Sequence, residues 1–321
     1  MKPVLYMVIP CYNEEAVLPV TAPLFLEQLQ DMIRAGSISS KSRILFVDDG
    51  SRDKTGALIR SLSKEQPLVT GIFLSRNFGH QNALLAGLME AKTVCDAAIT
   101  LDCDGQDDVS VIPQMLEEYQ KGCQIVYGVR KSRDTDSFSK RTCASLFYKC
   151  LNLLNGQTIP EHGDFRLMSR RVIEELSDFQ EVNMFLRGMI PMVGFSSTAI
   201  YYERKERFAG NTHYPLRKQL SLAANGITSL SIRPLHMIAG FGFLMAFFSF
   251  IGILWSVIQY FRGLTVWGWA STTCIICLVS GIQLICLGVL GEYIGKIYLE
   301  VKHRPRYIID SRTEHTEENN E

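Results

Sequence analysis

Two aspartates, Asp102 and Asp104, follow a short apolar stretch that ends at Leu101. The stretch predicts a buried strand, and in an extended backbone residues two apart point to the same face. Two carboxylates on one side of a strand end repel each other unless a cation lies between them. Because Mg²⁺ and Mn²⁺ prefer oxygen ligands and often keep a substrate phosphate in their shell, the pair predicts a metal site that binds a diphosphate. A solvated acidic turn at Gly105 is the alternative interpretation.

Polar residues also follow three other apolar runs, at Val4–Ile9, Ile44–Val47 and Val69–Leu74, and helical patterns alternate with these runs. Strands that alternate with helices predict an α/β fold, with a parallel sheet and helices on both faces. In such a sheet a ligand binds beyond the carboxyl ends of the strands. Six side chains are therefore expected at one edge of the sheet: Asn13, Asp48, Asp49, Asn77, Asp102 and Asp104.

Net charge, cysteine spacing and the absence of two glycine-rich motifs narrow the possible functions. The 321 residues carry a formal net charge of +0, so no overall basic field favours nucleic acid as a partner. The nine cysteines have no zinc-site spacing, which fits a reducing compartment. The sequence contains neither G-x-G-x-x-G nor G-x-x-x-x-G-K-[ST], so a glycine-rich phosphate cradle is not expected.

A basic cluster follows the predicted strand at Ile125–Val129. It contains Arg130, Lys131, Arg133, Lys140 and Arg141. Guanidinium and ammonium groups beside an acidic edge suit a second, phosphorylated substrate. A solvated basic loop is the alternative interpretation.

Two long segments, Leu235–Phe261 and Gly263–Gly291, contain no Asp, Glu, Lys or Arg. A helix needs about 20 apolar residues to cross a bilayer, so two transmembrane helices are predicted at about 235–261 and 269–291. Two buried helices of a soluble protein are the alternative. Residues 214–233 form an amphipathic pattern that suits either a membrane surface or packing on the domain. Basic residues flank the pair of helices, which predicts that both chain ends are cytoplasmic.

These features divide the chain into a cytosolic domain at 1–213, the amphipathic segment, the two helices within 234–295, and a basic then acidic cytosolic tail at 296–321.

Four motifs in this order resemble family 2 glycosyltransferases: VIPCYNEE at 8–15, VDDGSRDKT at 47–55, LSRNFGHQ at 74–81 and LDCDGQ at 101–106. GDFRL at 163–167, FLRG at 185–188 and the two apolar segments are similar to the branch that uses polyprenyl phosphates, as dolichol-phosphate-mannose synthases and bactoprenol glucosyltransferases do. Two departures are GNTHY at 210–214, where the branch has a lysine before the tyrosine, and Asp107–Asp108, where it has a proline.

The resemblance implies a GT-A (Rossmann-like, mostly parallel) catalytic domain with Mg²⁺ or Mn²⁺ at Asp102 and Asp104. It implies catalytic roles for Asp164 and Asp104. Nucleotide and sugar contacts are expected from Pro10, Tyr12, Asn13, Glu14, Asp49, Ser51, Asn77, Gly79, Asp102 and Gln106. Lipid-phosphate contacts are expected from Arg130, Arg141, Ser145, Arg166 and Arg207.

The implied reaction is inverting transfer of a sugar from a nucleotide-sugar, with UDP-glucose or UDP-GlcNAc as examples, to undecaprenyl phosphate at the cytoplasmic leaflet of the plasma membrane. The product would serve glycosylation of the cell envelope, and the resemblance is compatible with a homo-oligomer such as a tetramer. One alternative is a processive polysaccharide synthase, although the Arg-Trp pair of those enzymes is missing. The other is an inactive membrane scaffold for another transferase.

Overall fold

The computed structural model describes residues 2–131, 162–179, 181, 186–203 and 269–313, together with isolated positions between 235 and 262. The chain divides into two compact units, one formed by 1–219 with 305–321 and the other by 220–304. Arg141, Ser145, Arg207 and the predicted amphipathic segment 214–233 lie outside the described residues.

The first unit is built on one mixed sheet, with the strand order β7-β5-β6-β4-β1-β2-β3-β8 among the described residues. The strands are β1 Leu5–Cys11, β2 Arg43–Asp48, β3 Val69–Leu74, β4 Ala97–Thr100, β5 Ile125–Arg130, β6 His162–Ser169, β7 Ser197–Tyr202 and β8 Ile309–Arg312. The helices are α1 Leu18–Arg34, α2 Thr55–Glu65, α3 His80–Ala91, α4 Ile112–Gln120, α5 Arg170–Ser177 and α6 Leu186–Met192, and α7 Trp269–Val301 belongs to the second unit.

Strand β1 is the point at which the strand order reverses. It pairs in parallel with β2 on one side and with β4 on the other, so that Val8 lies opposite both Leu45 and Thr100. Open sheets of this kind bind ligands beyond the carboxyl ends of the two strands at the reversal. The predicted α/β fold is confirmed, and Asp102 lies two residues beyond β4, at the favoured position.

Strand β6 was absent from the sequence-based assignment and changes the geometry of the sheet. It is antiparallel to both of its neighbours, β4 and β5. Its first residues therefore lie at the edge where β4 and β5 end. This direction brings Asp164, the third residue of β6, to the same edge as the residues that follow the parallel strands.

Two hydrophobic cores cover the two faces of the sheet. One face packs against α1, α2 and α4, with Phe25, Phe46 and Met115 among its buried residues. The other packs against α3, α5 and α6, with Leu84 and Ile173 among its buried residues. Strands β1 to β5 are buried on both faces, which explains why they are near-continuous apolar runs.

The last strand, β8, follows the second unit along the chain and belongs to the sheet of the first unit. It lies antiparallel to β3. The Thr313 N–H donates to the carbonyl oxygen of Gly71, and the Gly71 N–H donates to Thr313 Oγ1. Arg312 donates to both carboxylate oxygens of Glu90, at 2.8 and 3.1 Å. The predicted cytosolic tail at 296–321 therefore contains the end of α7 and a strand of the sheet. The sequence did not predict this strand, because local composition carries no signal for pairing with a strand more than 200 residues away.

In the second unit, α7 is the one helix of the described residues that is long and apolar enough to cross a bilayer, within Gly281–Val301. It continues ten residues past the predicted end at 291. Leu278, Leu284 and Leu287 are 62%, 69% and 63% exposed, as expected for a helix surrounded by lipid. Most of the first predicted helix, 235–261, lies outside the described residues, and the described positions from 235 to 258 are helical.

Gly87 determines how closely α3 approaches the sheet. A Cβ atom at this position would lie 2.3 Å from Val8 Cγ1 and 2.8 Å from Val47 Cγ2. We expect Gly87→Ala to lower the free energy of unfolding by about 1–3 kcal/mol, because the added methyl overfills the core. Gly288→Ala in α7 is the control, since its Cβ meets no atom within 4 Å. Equal thermal midpoints for Gly87→Ala and the parent would contradict this packing.

Candidate active site

Asp102 and Asp104 lie in the turn that follows β4, and both are partly exposed. Cys103 between them is 3% exposed and packs into the core. This alternation is the one predicted for an extended backbone, with the two acids on the side away from the core. The backbone N–H of Gln106 donates to Asp104 Oδ1 at 3.1 Å, which closes the turn.

Negative charge accumulates around Asp102. The pKa of Asp102 is raised to about 6, and burial is the largest cause of the rise. The nearby carboxylates of Asp107, Asp164 and Asp104 raise the pKa further, and His80 lowers it. A divalent cation would relieve this repulsion, and the oxygen donors of Asp102 and Asp104 suit Mg²⁺ or Mn²⁺. His80, Asp102 and Asp164 offer ligand atoms that lie within 4.8 Å of one another.

The carboxylate of Asp164 is surrounded by positive charge. Its Oδ1 accepts from Arg166 Nη2 at 2.6 Å and from Arg187 Nε at 3.1 Å. Its Oδ2 accepts from Arg187 Nη2 at 2.8 Å and lies 3.2 Å from His80 Nε2. Burial alone would raise the pKa of Asp164, but the two arginines and the histidine hold this pKa well below its usual range. Two guanidinium groups make Asp164 a poorer cation ligand than Asp102.

Arg166 lies beneath the edge of the sheet. The resemblance implies that it contacts the lipid phosphate, but its side chain is 1% exposed. Its Nη2 donates to Asp164 and to the carbonyl oxygen of Gly163, whereas its Nε and Nη1 meet no acceptor among the described residues. Arg166 therefore depends on Asp164 for the compensation of its charge, and burial lowers its pKa.

His80 is positioned by the loop that follows β3, and its pKa reflects two opposing effects. Burial disfavours the imidazolium, but the carboxylates of Asp164 and Asp102 outweigh it and raise the pKa of His80. Its Nε2 lies 3.6 Å from Asp102 Oδ1. His80 is the first residue of α3 and directly follows Gly79, whose φ of +92° favours glycine.

Asp49, an expected nucleotide ligand, shapes this loop. The carboxylate accepts from the backbone N–H groups of Phe78 and Gly79, at 2.7 and 2.9 Å, and the residue is 2% exposed. Burial raises its pKa, while these two hydrogen bonds lower it. The side chain consequently offers almost no surface to a ligand and fixes the approach to His80.

The turns after β1 and β2 hold each other through polar side chains. Asn13, with φ of +55°, accepts from the backbone N–H of Arg52 at 2.9 Å, and its own N–H donates to Ser51 Oγ at 3.0 Å. Tyr12 in the same turn is 41% exposed. The other expected nucleotide and sugar residues around this edge are Pro10 and Gln106, which are buried, Glu14, which is half-buried, and Asn77, which is exposed.

Arg130 is held by a second buried acid, Asp107. The Tyr202 hydroxyl donates to Asp107 Oδ1 at 2.5 Å, and burial together with this carboxylate raises the pKa of Tyr202. Arg130 Nη2 lies 3.7 Å from the same oxygen, and Arg130 Nε donates to the Tyr202 hydroxyl at 3.4 Å. The ends of β5 and β7 are thereby fixed to the turn after Asp102.

Four residues of the site are missing from the sequence-based set: His80, Arg187, Asp107 and Tyr202. Arg187 belongs to the FLRG motif and His80 to the LSRNFGHQ motif, so the motifs contain a signal for both. Their roles depend on contacts with Asp164, which is 23 residues from Arg187 and 84 from His80. No local pattern encodes those contacts.

The strand-end acids lie within a stretch of the chain that matches a known protein family. The sequence profile of Glycosyl transferase family 2 matches residues 6–177. The chain belongs to this family. Its match covers the turns after β1, β2, β3 and β4 and all of β6, whereas the site residues Arg187 and Tyr202 lie beyond it.

Relatives of this family 2 glycosyltransferase extend over nearly the whole chain. The uncharacterized glycosyltransferase YkoT of Bacillus subtilis (strain 168) is 50% identical over 96% of this chain and 92% of its own. The bactoprenol glucosyl transferase of Shigella phage SfX is 40% identical over 95% and 98%. Among solved structures, the mannosyltransferase PcManGT of Pyrobaculum calidifontis, in complex with GDP-Man and Mn²⁺, is 18% identical over 77% of this chain and 65% of its own, with a TM-score of 0.44.

Removal of the Tyr202 hydroxyl tests the contact with Asp107 in this glycosyltransferase. We expect Tyr202→Phe to lower the free energy of unfolding by about 1.5–3 kcal/mol, because the buried carboxylate loses its donor. Tyr201→Phe is the matched control, since the neighbouring ring is 59% exposed. Urea unfolding of both variants measures the difference, and equal stability of the two would contradict the assigned hydrogen bond.

Proposed function

We propose that this glycosyltransferase transfers one sugar from a UDP-sugar, such as UDP-glucose or UDP-GlcNAc, to undecaprenyl phosphate or a similar polyprenyl phosphate. The observation that carries the proposal is the presence of both signs of charge at one edge of the sheet. The acids Asp102 and Asp104 suit a metal-bound diphosphate, and Arg130 and Arg187 are partly exposed beside them. Relatives that are 40% identical and named bactoprenol glucosyl transferases support the lipid acceptor.

The acceptor chemistry fits such a site. The second pKa of a phosphate monoester is about 6, so its attacking oxygen carries no proton near neutral pH. Attack on the anomeric carbon from the face opposite the nucleotide breaks the bond to the diphosphate and inverts the configuration. The protein must align the anionic acceptor with the anionic donor. Cationic side chains can do this by binding and orienting the phosphate groups.

Asp102 and Asp104 would hold Mg²⁺ or Mn²⁺ in this reaction. When bound, the metal neutralises the charge that develops on the leaving nucleoside diphosphate. The accumulated negative charge at Asp102 supports this assignment. The preference for UDP over GDP rests on the resemblance to the bactoprenol branch.

The path of the chain supports two membrane crossings. If α7 crosses a bilayer once and no other segment does, β3 and β8 lie on opposite sides of the membrane. These strands pair in one sheet, so a crossing by α7 would require a second crossing, which the proposal assigns to residues 220–268. The uncharged run at 235–261 is the segment of suitable length.

In this proposal the catalytic unit and both chain ends are cytoplasmic, and the protein spans the inner (plasma) membrane, with 214–233 as a juxtamembrane segment. The glycolipid product would then serve cell-envelope polysaccharides. The homo-tetramer stays a prediction. Light scattering of the detergent-solubilised protein would test it by measuring the mass of the oligomer. The processive synthase and the inactive scaffold remain the alternatives that the transfer assay distinguishes.

The first test is transfer from radiolabelled UDP- and GDP-sugars to undecaprenyl phosphate. With Mg²⁺ or Mn²⁺ we expect one labelled sugar per lipid, and with EDTA we expect none, because the diphosphate loses its counter-ion. Asp104→Ala should reduce transfer by at least about 100-fold and should abolish the Mn²⁺-dependent rise in melting temperature. Asp310→Asn, an exposed acid on β8, is the control.

Polymeric product would favour the processive synthase. Absence of transfer from every donor by folded protein would favour the scaffold. Parental transfer by Asp104→Ala would remove the metal assignment but leave the reaction.

Protease accessibility tests the two crossings. Tags at the two chain ends should both be removed in inside-out membrane vesicles and both be protected in right-side-out vesicles, because both ends share one side. Removal of one tag alone in either preparation would contradict an even number of crossings.

A further inference from the structure

The carboxylate of Asp164 has no remaining position for a substrate proton. A carboxylate has about four lone-pair sites, and four contacts occupy those of Asp164: one from Arg166, two from Arg187 and one from His80. The residue is 3% exposed, and its backbone oxygen accepts from the Thr100 hydroxyl. A general base must reach the proton that it removes, and Asp164 is closed on every side.

Arg187 has the opposite character, because it reaches the surface. Its side chain is 35% exposed, while Nε and Nη2 form a two-bond fork with Asp164. A fork of this kind fixes the plane of a guanidinium group, so the arginine is presented in one orientation. His80, whose side chain is 43% exposed, shares the same carboxylate.

We propose that Arg187, fixed in orientation by Asp164, binds the phosphate of the acceptor, and that Asp164 is a positioning residue which takes no proton. The assignment rests on the proposed function, because it concerns the acceptor of that reaction. In the proposed function, the donor diphosphate is bound by the metal that Asp102 and Asp104 would hold. The charge that still requires a partner is that of the attacking phosphate.

The charges of the step balance without a base. The acceptor dianion forms a bond from its phosphate oxygen to the anomeric carbon, and the bond from that carbon to the diphosphate oxygen breaks. The electron pair leaves with the nucleoside diphosphate, which gains one negative charge while the acceptor phosphate loses one. No proton moves, so the step needs no general base.

A double-mutant cycle on acceptor kinetics tests this assignment. We expect Arg187→Gln to raise the KM for undecaprenyl phosphate by about tenfold or more with little change in the KM for the donor, because one charge-assisted contact is lost. Asp164→Asn should raise the same KM, and the double variant should be no worse than the more affected single variant, because both changes remove one function.

A general base would give a different pattern. Asp164→Asn would then lower kcat by about 100-fold or more at an unchanged acceptor KM, its effect would multiply with that of Arg187→Gln, and formate would restore part of kcat. Any of these results would overturn the proposal. A raised donor KM in Arg187→Gln would assign the arginine to the diphosphate and would overturn it as well.

The exposed ion pair of Asp31 and Arg34 on α1 provides a matched control cycle, with Asp31→Asn and Arg34→Gln expected to leave both KM values unchanged. Asp164→Asn removes the partner of two arginines and can fail to fold. Arg187→Gln alone then decides, since its side chain is partly exposed.

Phosphate binding separates failure of this inference from failure of the proposed function. If the parent protein transfers no sugar to the lipid, the proposed function fails, but inorganic phosphate still probes Arg187. Stabilisation of the parent and of Arg34→Gln by millimolar phosphate, with a clearly smaller melting-temperature shift in Arg187→Gln, supports the anion site. Equal shifts in all three proteins would overturn it.

Discussion

The buried charge of Asp164 is the constraint on which the active edge depends. An ionised carboxylate removed from water loses several kcal/mol of hydration unless charged donors replace it. Here the donors come from three elements, namely Arg166 in β6, His80 at the start of α3 and Arg187 near the start of α6. The carboxylate thus fixes two helix starts against one strand, and loss of any partner leaves the remaining charges buried and poorly compensated.

The direction of β6 makes this arrangement possible. Residues that follow parallel strands reach the carboxyl edge from turns, where they are partly exposed, as Asp102 and Asp104 are. Asp164 reaches the same edge from within an antiparallel strand, where both neighbours, β4 and β5, exclude water. The site consequently contains acids of two kinds. The turn acids suit a metal, and the strand acid suits the orientation of cations.

A second group of contacts connects the acidic turn to its surroundings. Asp49 fixes the loop before His80 through two backbone N–H groups, and Asp107 fixes Arg130 through Tyr202 and through its own charge. Neither acid is exposed by more than 5%. Both acids therefore act on the protein itself, through hydrogen bonds and charge.

The sequence by itself determined the alternation of strands and helices, the acids at the strand ends and the uncharged segments, because hydrophobic periodicity and composition are local properties. Only the tertiary structure decided which of these polar groups are buried and which are exposed. Asp49 and Arg166 look like surface groups in their motifs, but hydrogen bonds formed across the fold bury them. The tertiary structure also decided that the residues after the apolar segments form β8 of the sheet. Pairing of β8 with β3 depends on backbone groups that every sequence carries. Partners 84 to more than 200 residues apart meet through the packing of the sheet, and no local pattern specifies that packing.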